Sequence, residues 1–310
     1  MFNNKYLLLN KFIKVFFYGN IFLGICAVAL CVETNLLFNI VLNTFPFYLF
    51  IFFCTCIYYT MIYVRSVKAK NYNDRTLWYR KNFITIKKIL KISIVITIAL
   101  AVFLLSQNRD TIVSLSPLQI ILSVIFPLIA AWYTFSPAFF RIKKIRHTGW
   151  IKPFIVGLTW AGMVTVYSVI TGLAQMGETG NIPFWPFLLL LLQNFLFFSV
   201  NAIIFDIKDY RTDSFHQLKT YPVILGVRNT FRFIIFPMLV LNFIVFFLFQ
   251  FYLHFSPLQT FIQLIPHLLL IYIILNHRQQ RSVLYYLAAV DGLVFVKAFC
   301  GITSILFIKN

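Results

Sequence analysis

Carboxylates are what this chain most lacks. Only eight of its 310 residues are Asp or Glu, against 27 Lys or Arg, and charged residues of both signs make up 11%. Soluble domains carry roughly a quarter charged residues. Set against 61% hydrophobic content and a mean hydropathy of +0.85, the shortage excludes an ordinary water-soluble globule. Cysteine is scarce too. All five (Cys26, Cys31, Cys54, Cys56 and Cys300) lie in or at the ends of apolar runs, and Cys54 and Cys56 fall on different helix faces. That excludes a disulfide framework and a thiolate metal site. No His–Cys or His–Glu ligand spacing accompanies His147 or His216, so zinc has no support. No linker, low-complexity tract or detachable soluble domain is visible, and residues 1–310 read as a single multi-pass transmembrane domain.

What the chain does have is apolar length. A hydrocarbon core roughly 30 Å thick needs about 20 apolar residues per helical span. The hydropathy predicts nine spans: 10–31, 43–64, 92–106 (its start drawn back toward residue 88), 117–138, 153–173, 185–205, 231–253, 257–275 and 285–308. The opening "MFNNKYLLLNKFIK" has a basic start but no small-residue cleavage site after it, and reads as the entry to the first span. Lys and Arg crowd alternate connections: nine in 65–91, five in 141–152 and five in 206–232, while the loops near 32–42, 174–184 and 254–256 have none. This alternation predicts a cytoplasmic N-terminus and an outside C-terminus. The net charge of +19 then serves topology and attraction to anionic headgroups rather than nucleic acid.

Against that background "FDIKDYRTDSFHQLKTYPVILG", residues 205–226, stands out, because Asp206, Asp209 and Asp213 fall within eight positions of so acid-poor a chain. On a continuous helix the three carboxylates would stack on one face over two turns. Such like charges repel unless a cation sits between them. A hard divalent ion such as Mg²⁺, held by one or two carboxylates, waters and phosphate oxygens, meets that need. The alternative is a solvated loop paired internally with Lys208, Arg211 and Lys219, worth little energetically. Asn194 and Asn201, seven apart on the sixth span, point toward the same region.

The stretch resembles the second aspartate-rich motif of the UbiA superfamily of membrane prenyltransferases, whose Asp residues are followed by a "KTLPVxLG"-like tail. Lys219, Thr220, Pro222, Val223, Leu225 and Gly226 match that tail. "YTFSPAFFRIKKIRHTGWIKPFIVG", 133–157, is similar to the family's loop between helices 4 and 5 through Ser136, Pro137, Arg141, Lys143, Gly149, Trp150 and Gly157. The family's other acidic motif, at the cytoplasmic end of helix 2, is degenerate: Thr60, Tyr63, Val64 and Lys68 stand where Asn and Asp are expected, and Asp74 is the only carboxylate nearby.

The resemblance implies an all-α ring of nine helices around a central cavity open to the cytoplasm. It implies transfer of an isoprenyl group from its diphosphate to a lipophilic acceptor, aromatic or polyprenyl in type. Asp206, Asp209 and Asp213 become the catalytic and Mg²⁺-binding residues, with one ion rather than two. Arg141, Lys143, Lys219, Arg65 and Lys68 become the diphosphate-binding cations. Asn194, Asn201, Tyr59, Tyr63 and Tyr133 become cavity residues. Asp291 and Lys297, inside the last span, are expected to face the bundle interior without pairing to each other; Glu33 is placed on an outside loop. Two other readings stay open. One is a protein of the same fold that binds an isoprenoid or lipid diphosphate without transferring it. The other is a secondary transporter, against which stand acids kept at the membrane edge and the absence of a repeat.

Overall fold

In lipid every backbone polar group must be satisfied within the segment, so apolar runs of this length fold as helices. The computed structural model describes residues 2–66, 73–109, 115–139, 149–176, 183–276 and 282–308, and among them there are helices and turns but no strand. In chain order they are α1 (Phe2–Tyr18), α2 (Ile21–Leu37), α3 (Phe45–Ser66), α4 (Asp74–Lys81), α5 (Phe83–Gln107) and α6 (Pro117–Phe139). Then follow α7 (Lys152–Gln175), α8 (Phe184–Lys208), α9 (Tyr210–Phe215), α10 (Tyr221–Leu225), α11 (Val227–Tyr252), α12 (Pro257–Leu275) and α13 (Val283–Leu306).

Seven of these helices (α3, α5, α7, α8, α11, α12 and α13) are long and apolar enough to cross a membrane, and α1 with α2 makes an eighth as a bent pair. All nine expected segments are helical. The first span is broken rather than straight. Gly19 and Asn20 interrupt it with a 55° bend, and Asn20 takes left-handed backbone angles, φ 64°, which Asn tolerates better than most side chains. α5 begins earlier than its hydropathy suggested, at Phe83, because Lys87, Lys88 and Lys91 continue the helix out of the apolar run. Glu33 is not in a loop: α2 runs on to Leu37 and buries it.

The chain divides into two compact units, one of 1–113 with 263–303 and one of 114–262 with 304–310. In the first, α2 and α5 both pack on α3. Glu33 meets Lys297 of α13 in a buried ion pair of 3.0 Å, and Gly301 supplies the notch in which the Glu33 side chain lies. In the second, α8 is the most buried span and packs against α7 and α11. The α7–α8 contact is close because Gly157 has no side chain: a Cβ there would lie 2.7 Å from the Phe195 carbonyl oxygen. Small residues at such crossings let helix backbones approach. Single π-helical turns at Gly162–Val166 and Phe231–Ile235 interrupt α7 and α11.

Candidate functional site

The acidic stretch does not continue as one helix. α8 ends at Lys208, Asp209 sits at φ −89°, ψ 5°, and α9 starts at Tyr210. The turn separates the three carboxylates. Asp206 is 1% exposed and Asp213 8%, whereas the Asp209 side chain is 39% exposed and pairs with Lys208 at 2.5 Å. Among the described residues no three His, Cys, Asp or Glu side chains group tightly enough to hold a metal ion by themselves.

Lys152, the first residue of α7, joins the two buried acids. Its ammonium donates to Asp206 Oδ1 at 2.6 Å, and it lies within electrostatic reach of Asp213 and Tyr133 as well. The position follows from packing. Gly149 lets the turn before α7 rest on the backbone of Lys219 and Thr220, where a Cβ would lie 3.0 Å from Thr220 N. The two stretches singled out in the sequence, 133–157 and 205–226, therefore meet. α9 closes through Gln217 in left-handed geometry, φ 53°, with Leu218 N donating to the Asp213 carbonyl at 2.9 Å.

This corner holds polar atoms that are buried without a hydrogen-bond partner: Asp206 Oδ2, Asp213 Oδ2 and Thr220 Oγ1. Buried carboxylate oxygens are costly to leave unpaired. Burial raises the Asp213 carboxyl to about 6, with repulsion from Asp206 and Asp209 adding and Lys152 and Lys208 opposing. Two hard oxygen donors with open valence suit a small divalent cation completed by water and phosphate. Deeper in α8, Asn201 is 5% exposed with both side-chain amide atoms unpaired, and Asn194 donates to Thr165 Oγ1 at 3.0 Å. Lys219 is exposed on the loop after α9.

The remaining candidates belong to the first unit or lie outside the described residues. Arg141, Lys143 and Lys68 are outside them. Arg65 is exposed at the end of α3, and Tyr59 contacts Tyr58 edge-on at 5.3 Å. Tyr63 stacks on Tyr79 at 5.1 Å and covers the guanidinium of Arg75, whose Cζ is 4.0 Å from the ring centroid. Thr60 accepts from Asn20 Nδ2 at 3.0 Å. Thr60 and Tyr63 of α3 thus sit in a polar and aromatic cluster around the Arg75 guanidinium. Lys152 and Arg75 had entered the sequence reading only as loop charge. The signal that singles out Lys152 is its place, one residue before a helix-starting proline and within the Gly149–Gly157 stretch.

A multi-pass membrane chain, all-helical among the described residues, with buried carboxylates at and just beyond the end of its most buried span is the class these observations define. The fold is that of UbiA homologs. A UbiA homolog from Archaeoglobus fulgidus bound to GPP and Mg²⁺ superposes with a TM-score of 0.58 at 14% identity, covering 94% of this chain and 99% of that one. The same comparison with a UbiA homolog from that organism bound to DMAPP and Mg²⁺ gives 0.53 at 14% identity, over 94% and 99%. A structure of digeranylgeranylglyceryl phosphate synthase gives 0.57 at 16% identity, over 95% and 99%. No family model and no curated protein matches the sequence.

Proposed function

We propose that the chain is a divergent member of the UbiA superfamily that moves an isoprenyl group from an isoprenyl diphosphate to a lipophilic acceptor. The observation that carries this reading is the buried pair Asp206 and Asp213, each with an unpaired oxygen, Asp206 bonded to Lys152 and Asp213 within its electrostatic reach. The structural neighbours that bind GPP or DMAPP with Mg²⁺ support it. On this reading the chain acts as one domain of nine spans ringed around a cavity. Its N-terminus and site face the cytoplasm at the cell membrane, and its C-terminus lies outside.

Asp206 and Asp213 would hold one Mg²⁺, with Asp209 at the helix break as the third carboxylate of the stretch. When bound, Mg²⁺ would supply positive charge that offsets the diphosphate as it leaves. Lys152 holds Asp206 oriented so that Oδ2 stays open. Its ammonium, held against Asp206, also adds preorganised positive charge beside the departing oxygens, where such charge counts most. Lys219, Arg141 and Lys143 add cations on the same unit, and Arg65 and Lys68 on the other. Tyr59, Tyr63, Tyr133, Asn194 and Asn201 line the space for the prenyl chain and acceptor, with aromatic faces sheltering the cationic carbon from water.

A second reading, binding without transfer, draws on the α3 cluster, which has no carboxylate to hold a second ion. Titration of farnesyl diphosphate into purified protein separates the two. Binding that requires Mg²⁺ and weakens by at least about tenfold in Asp206→Asn is expected, about 1.4 kcal/mol. Release of diphosphate on adding lipid-extracted acceptors marks transfer, and binding without release marks the second reading. Equal binding in EDTA by both proteins would sink the metal site.

A further inference from the structure

The elbow between α1 and α2 is fixed by side chains from other helices. Gly19 follows a backbone path on which a Cβ would run into the Val15 carbonyl, and Asn20 follows it in left-handed geometry, φ 64°. A continuous helix would pair the Tyr18 carbonyl with the amide four residues on. Here that carbonyl accepts from the Tyr79 hydroxyl at 2.9 Å and from Arg75 at 3.3 Å. Asn20 Nδ2 donates to Thr60 Oγ1 at 3.0 Å and to the Tyr79 hydroxyl at 3.1 Å. α3 and α4 thus grip the bend. Phe16 and Phe17 fill its angle against Phe22, with ring centroids 5.6 and 5.1 Å apart.

Beyond the elbow α1 is two-sided. It carries three Lys and no Asp or Glu. At about 100° per residue, Asn10, Lys11 and Lys14 fall on one side of the helix and Leu9, Phe12 and Phe16 on the other. Leu9 is 56% and Phe12 65% exposed, and Lys11 is exposed too, so the bundle covers neither side there. Deep hydrocarbon does not suit such a helix, because lysines at depth are costly. α2 can cross without it: 17 residues meet the lower end of the length a bilayer core requires, and its one charged side chain, Glu33, is paired with Lys297. Spans tilt by about 20° on average. A helix leaving at 55° can then run at up to about 75° to the membrane normal, near the surface plane.

We propose that α1 is a membrane-surface anchor that reads headgroup charge. Leu9, Phe12 and Phe16 enter the acyl boundary, Lys11 and Lys14 meet anionic headgroups, and the span proper begins with α2. An apolar side opposite a lysine side is the pattern of helices that lie about 5–10 Å into that boundary. Charge selects this occupant. A second copy would bring another chain of net +19 against the lysines, whereas an anionic leaflet offers the opposite sign. The inference does not depend on the transferase reading, and its test involves no diphosphate.

The test uses the full chain in nanodiscs, with a fluorescent amino acid in place of Phe12 and, separately, of Asn10. Nitroxide lipids labelled near the headgroup or near the chain end report depth, and iodide reports water. In discs of equal parts phosphatidylcholine and phosphatidylglycerol, the probe at 12 should be quenched most by the headgroup-proximal nitroxide, and the probe at 10 by iodide. In phosphatidylcholine alone the probe at 12 should gain iodide quenching. Lys11→Gln with Lys14→Gln should produce the same gain in anionic discs, the ratio of seated to free helix falling about fivefold per lysine. Three results would each overturn the proposal. Strongest quenching at 12 by the chain-end nitroxide puts α1 inside the span. Absence of lipid quenching at 12 puts that side against protein or water. Quenching indifferent to lipid charge and to the lysine pair removes the headgroup contact.

Discussion

Asp213 shows how position turns an ordinary carboxyl into a sensor of its surroundings. Its folded value of about 6 lies above the usual 3.8, chiefly through burial. A raised acid favours the folded state when protonated, so this contribution is complete below the unfolded value and is lost as pH rises through about 6. The metal-free protein should therefore melt lower at about pH 7.5 than at about pH 5, and Asp213→Asn should flatten that difference. A scan of melting temperature in EDTA checks it; an unchanged slope in the variant would assign the effect elsewhere. The spacing of the three Asp was legible in the sequence. Their division into two buried and one exposed was not, because it depends on a helix break at Asp209, where no Gly or Pro marks the chain. Lys152 and Arg75 were hidden for a related reason. A Lys or Arg count carries no information on which cation is drawn inside.

Helix contacts position these side chains. α7 delivers Lys152 to Asp206 of α8 only because the two helices lie close at Gly157. Gly157→Ala places a methyl group against the Phe195 carbonyl and the Ser199 backbone, so α7 must shift. Overpacking of this kind costs about 1–3 kcal/mol. The expected result is a lower melting temperature together with weaker Mg²⁺ binding, read by titration with a paramagnetic Mn²⁺ probe. Loss of stability with metal affinity intact would show that the crossing does not set the site. Hydropathy located all the long helices, since lipid demands unbroken apolar length, but it placed their ends poorly. α5 extends through three lysines and α2 through Glu33, because a polar face of a helix can meet a partner or water without ending the helix.

Contacts spanning most of the chain hold the first unit together. Glu33 and Lys297, 264 residues apart, form an ion pair whose side chains are 6% and 4% exposed respectively. Removing one member leaves an uncompensated charge, and Lys297→Met is expected to cost about 3–5 kcal/mol. Replacing both, Glu33→Leu with Lys297→Met, should recover most of that loss, because the desolvation cost of the pair disappears with it. A double-mutant cycle on detergent-solubilised protein reads the coupling; additive losses would show that the pair contributes nothing. What the sequence by itself determined was the solvent, the helical class and the stretch that holds the acids. Those properties are sums over neighbouring residues, and lipid enforces them locally. The tertiary structure alone decided which acids are buried, that Lys152 clamps Asp206, that Glu33 faces Lys297 and that Arg75 is buried beneath Tyr63. Burial and charge pairing are relations between segments far apart in the chain, and only packing brings those segments together.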